Sequence, residues 1–189
     1  MARILGTIAS SSFEAVGDFE SIATVSLSSS AASAEFTSIP STFTHLQVRG
    51  IPRTDRAGNV NDGIIVQFNS DTGANYSWHY LAGVYLNTVD VAGVANTSHI
   101  PINSAAAASN TAANSLGSFI ADILDYKDTN KYKTLRALGG MEDNTYGYIA
   151  FSSGNWRNTN AITTVTIKPL VGTNFVQYSH FALYGIKAA

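Results

Sequence analysis

Short runs in which apolar and polar residues alternate recur along most of the chain. No stretch of a dozen residues holds the 3.6-residue period of a helix. Residues 21–27 and 34–39 form a first pair of such runs, joined by the small residues 28–33. In 45–51, Leu46 and Val48 alternate with His45, Gln47 and Arg49. Pro52 then closes the run, since proline cannot donate to a continuing ladder. In 63–69, Ile64, Val66 and Phe68 share one face, with Ile65 and Gln67 on the other. The aromatic-rich stretch 76–86 places Tyr76, Trp78 and Tyr80 on one side. Further strands are predicted over 116–126, 133–139, 146–153, 162–168 and 179–186, the segment 162–167 being almost wholly β-branched. Residues 96–114, rich in Ser, Ala and Asn, predict mostly loop, with one helical turn around 105–108.

About ten short strands with turn residues between them describe an all-β protein, an antiparallel β-sandwich. The expected inward faces are Leu46/Val48, Ile64/Val66/Phe68, Val165/Ile167 and Phe181/Leu183. No composition shift divides residues 19–189, which are expected to form a single sandwich domain. Residues 1–18 lack clear alternation and read as an arm outside it, either tying neighbours together or fraying.

Composition adds one strong constraint. Charged residues are only 13% of the 189, against roughly a quarter in ordinary soluble domains. No apolar run approaches the ~18 residues of a membrane-spanning helix, so no membrane partner is expected. Polar surface must then come from Ser, Thr, Asn and Gly, which resist association weakly. Such a surface is expected to be covered by copies of the same chain or by another protein. The net charge of −2 and scattered basic residues give no reason to expect nucleic acid. Lys127, Lys131, Lys133 and Arg136 lie among Asp122, Asp125 and Asp128 and read as a solvated turn. With no cysteine there can be neither disulfides nor thiolate metal sites.

Chemistry-bearing patterns are few. Asp71-Thr72-Gly73 spells an aspartic-protease triplet, yet it lies in a polar turn beside Asn75 and lacks the paired carboxylate that reaction needs. Asp55, Asn59, Asn61 and Asp62 offer oxygen ligands in one loop without the EF-hand spacing, so an ordinary solvated loop competes with a cation site. His45, His79, His99 and His180 show no metal-ligand spacing, although His45 and His79 fall in strands that could neighbour one another. No nucleophile turn or phosphate loop is present. No catalytic residue, metal or cofactor is therefore expected, and the chain reads as a non-enzyme. The candidate contact group is aromatic: Tyr76, Trp78, Tyr80 and Trp156 could stack on a glycan or a partner, or could simply fill the core.

Phe36-Thr37-Ser38-Ile39-Pro40-Ser41-Thr42-Phe43-Thr44-His45-Leu46 resembles a module of tailed-bacteriophage virion proteins. The likeness continues in Val66-Gln67-Phe68-Asn69-Ser70-Asp71 and Asn75-Tyr76-Ser77-Trp78. It returns in Trp156-Arg157-Asn158-Thr159-Asn160 and in the closing stretch from Phe175 to Lys187. The resemblance implies a jelly-roll-like sandwich and a virion structural role. A head decoration or cement protein bound to the major capsid protein is the first expectation, and a tail-fibre tip touching host glycans is the alternative. A homotrimer would match both shell three-fold positions and fibre tips.

Overall fold

The computed structural model describes residues 18–85 and 87–187, and these contain twelve strands and no helix. In chain order they are β1 (Phe19–Ser26), β2 (Ala34–Phe36), β3 (His45–Ile51), β4 (Asn61–Phe68), β5 (Tyr76–Val84) and β6 (Thr88–Thr97). Then follow β7 (Ile100–Ala107), β8 (Ser118–Leu124), β9 (Lys133–Glu142), β10 (Gly147–Trp156), β11 (Val165–Pro169) and β12 (His180–Ile186). They form an eight-stranded sheet in the order β1-β12-β3-β8-β9-β10-β5-β6 and a four-stranded sheet in the order β2-β11-β4-β7. Every ladder is antiparallel.

The core lies between the sheets, and alternation along each strand decides what enters it. Leu46, Val48, Ile64, Val66, Phe68, Val165, Ile167, Phe181 and Leu183 are all buried there, on the expected faces. Phe36, Ile39, Phe43 and Leu46, the apolar positions of the phage-like motif, are buried too as the chain passes from β2 in one sheet to β3 in the other. Gly185 makes room for that crossing, because a Cβ there would fall 2.2 Å from the Phe43 ring.

Residues 21–27 and 34–39 enter different sheets: β1 joins β12 in the large sheet, and β2 joins β11 in the small one. Placing them in opposite sheets lets each bury its apolar face against the other layer. Residues 96–114 are not mostly loop, and there is no helical turn at 105–108. The segment holds the end of β6 and the whole of β7, with Ala105, Ala106, Ala107 and Ala108 fully buried. Alanine has little intrinsic strand preference, and packing reverses that preference here. β7 faces glycines of the large sheet, and Cβ atoms at Gly139 and Gly154 would come within 3.2 Å of Ala105 and 2.4 Å of Ile100. Small residues on both layers let the sheets mesh closely.

The expected arm lies outside the described residues except for Asp18, whose carbonyl accepts the Lys187 amide at 2.9 Å.

Candidate functional site

The four candidate aromatics part into two groups. Tyr76 and Trp156 are core residues, buried with Phe68 in a cluster whose ring centroids lie 5.6–6.3 Å apart. They are unavailable to a glycan, which corrects their candidacy. The alternation that made them look like one surface row is the same alternation that turns one face of β5 and β10 inward. Trp156 Nε1 donates to Asp71 Oδ2 at 2.7 Å, and the Tyr76 hydroxyl accepts the Phe68 amide at 3.0 Å. Nearby, Asn69 adopts a positive φ of 50°, and its Oδ1 accepts the amides of Thr163 and Thr164. Residues 66–71, 75–78 and 156–160 therefore meet at one corner, where they do structural work.

Asp71 is held by the same corner. Burial would push its carboxyl up, but hydrogen bonds from Trp156, Asn75 and the Gly73 amide outweigh burial and hold it below its usual range. The protease-like triplet is thus a turn whose carboxylate is fully engaged.

Trp78 and Tyr80 remain half-exposed. Their rings stack 5.9 Å apart, and the Tyr80 hydroxyl donates to Asp90 Oδ2 at 2.7 Å. That bond, with burial behind it, raises the phenol's pKa.

The polar candidates turn inward on the chain itself. Asp62 is completely buried rather than solvated, and it accepts Thr54 Oγ1 and the Val171 and Gly172 amides. Asp55 accepts the Thr173 and Asn174 amides, and Asn61 Nδ2 donates to Ser104 Oγ. Carboxylates spent on the chain's own N–H groups do not converge on a cation. No group of three or more metal-ligating side chains occurs among the described residues. His45 and His79 are not neighbours: four strand spacings separate β3 from β5, about 19 Å. Lys131 fits the expected solvated turn, with Asp125 at 2.8 Å and Asp128 at 3.3 Å. Lys133 does not. It is fully buried, and its ammonium donates to the carbonyls of Asp128, Lys131 and Thr159.

The most unusual surface is one that the sequence reading missed. The outer face of the eight-stranded sheet should be polar in an antiparallel sandwich. Here the register aligns Ile120, Leu138, Phe151, Leu81 and Val91 in one row across five strands, and Ile149 and Val89 flank it in the next. Phe151 is 60% exposed, Ile149 55% and Val91 65%. Two shallow depressions of about 590 and 530 Å³ share Ile120 and Leu138 along this row. Asp122 and Arg136, paired across β8 and β9, edge one end, and Glu142 the other. A signal was available: β9, β10 and β6 carry large apolar residues at both odd and even positions, which one-sided burial cannot explain.

No family model, curated protein or solved structure matches this chain.

Proposed function

We propose that this chain is a non-enzymatic structural protein of a tailed-bacteriophage virion, a jelly-roll-like decoration or cement protein that binds the outside of the head. The observation that carries the reading is the apolar row Ile120–Leu138–Phe151–Leu81–Val91 on the outer face of the large sheet. An exposed apolar surface that runs across several strands marks a protein-binding site, and a chain with 13% charged residues has little else to keep it apart from neighbours. A cement protein adds buried apolar area between shell subunits, and this face supplies it. The phage-like segments, which here form the inter-sheet crossing and the Phe68/Tyr76/Trp156 corner, agree with such a sandwich.

A second reading is favoured by the half-exposed Trp78–Tyr80 stack beside Asp90, the kind of aromatic platform on which a sugar ring rests. In that case the chain is a fibre or receptor-binding tip that contacts host glycans.

Electron microscopy of virions from a phage that encodes the chain separates the two. Density on the outer head surface, with the apolar row against the capsid protein, is the expected result. Absence of the chain from purified virions would overturn both readings, and density at the tail tip alone would overturn the first.

A further inference from the structure

Among the described residues the sandwich has four sheet edges, and three of them are guarded. Strand β1 carries a bulge between Ser21 and Ala23, and its Glu20 pairs with Lys187 at 2.7 Å. Strand β2 is only three residues long. Strand β7 contains Pro101, and Arg53 and Thr54 close over its end at Ala107. Short edges, bulges, charges and prolines are the devices that keep sheet edges from pairing with other chains.

Strand β6 has almost none of them. Its register against β5 is unbroken from Thr88 to Ala95, eight consecutive pairs, and the only bulge comes at Asn96, at its far end. It holds no proline or lysine, and both of its faces are exposed, with Val89, Val91 and Val94 projecting from it. Its single charge, Asp90, is already bound by the Tyr80 hydroxyl of the same chain. The edge is therefore β-branched and regular over roughly 27 Å, with Asp90 its single charge.

We propose that β6 is a homodimer interface, pairing antiparallel with β6 of a second copy to make one continuous sheet. The occupant follows from the edge itself. The strand carries one carboxylate and no cation, and an identical edge can pair with it through a two-fold axis normal to the sheet that keeps the two carboxylates from facing each other. With the axis near Ala92, outer-face residues stay beside outer-face residues, and Asp90 falls opposite Val94 instead of the other Asp90. The paired span supplies about eight interchain hydrogen bonds, within the range of specific interfaces. The described residues present one such edge, so the assembly closes at two copies, where the sequence suggested three. The pairing needs no particle and stands whether or not the chain is a virion protein.

The chain's lack of cysteine makes the test clean, because a single introduced thiol has only its counterpart in another copy to meet. Ala92→Cys, which faces its own counterpart at the axis, should give a covalent dimer on mild oxidation, since opposed Cα atoms of an antiparallel pair lie about 4.5–5.5 Å apart. Phe19→Cys, on the opposite edge, should not. In sedimentation the wild type and a variant lacking residues 1–17 should both be dimers. Val91→Lys, and Val94→Glu, which sets a second carboxylate opposite Asp90, should each weaken the dimer about tenfold or more while circular dichroism and melting temperature stay unchanged. A monomeric or trimeric wild type, a dimer lost with residues 1–17, or a dimer that survives both charge substitutions would overturn the proposal.

Discussion

Asp71 shows how much one side chain can organise here. Its carboxylate gathers the Trp156 indole, the Asn75 amide and the Gly73 backbone N–H, joining the loop after β4 to the end of β10. Those donors favour the charged form and depress its folded-state pKa, as the amides of Asn174 and Thr173 do for Asp55 despite burial. A depressed carboxyl pKa contributes stability that is present above the unfolded value and lost as pH falls through the folded one. Stability should therefore decline once pH drops below about 4. Asp71→Asn should melt lower than wild type at neutral pH but lose less on acidification. Thermal melts from pH 7 to pH 3 check this, and parallel acid slopes for the two proteins would contradict it. Lys133 teaches a related lesson. Burial pulls its ammonium's pKa down, yet three backbone carbonyls from two loops converge on it, so it acts as a tie between turns and not as a surface charge.

Among the elements, β7 and β6 depart furthest from their local preferences, in opposite ways. β7 is an alanine-rich strand that exists because the opposing layer presents Gly139 and Gly154. Ala105→Leu should clash with that layer and cost about 1–3 kcal/mol. For a chain of this size that is a fall in melting temperature of roughly 2–12 °C. An unchanged melting temperature would show that the sheets are not meshed there. β6 has the strand composition that β7 lacks, with three valines and two threonines, yet is exposed on both faces. Propensity without burial makes an edge, and burial without propensity makes a core strand.

Among the described residues, the eight strands of one sheet are opposed by only four, so the large sheet extends past its partner at β6. Its outer face, turned away from that partner, is apolar. Phe151→Thr and Leu81→Thr keep strand preference while removing apolar surface. Both side chains are exposed, so melting temperature should change little, whereas under the proposed head-binding role co-sedimentation with purified heads should fall sharply. Undiminished binding by both variants would count against this face as the docking surface.

The sequence alone was enough to determine the fold class, because a two-residue period needs no knowledge of partners. Leu46/Val48, Ile64/Val66/Phe68 and Phe181/Leu183 identify their own inward faces from alternation. The corner at Phe68, Tyr76 and Trp156 appears only once Asp71 and Trp156, 85 residues apart, meet. What lay beyond the sequence depends on pairing. The outer apolar row joins residues from five strands through register, and no window along the chain contains it. Tyr76 and Trp78 sit two residues apart on the same face, and only the extent of the opposing sheet buries one and exposes the other. Alternation is a local property of the chain, whereas which face is covered is decided by what the other layer reaches.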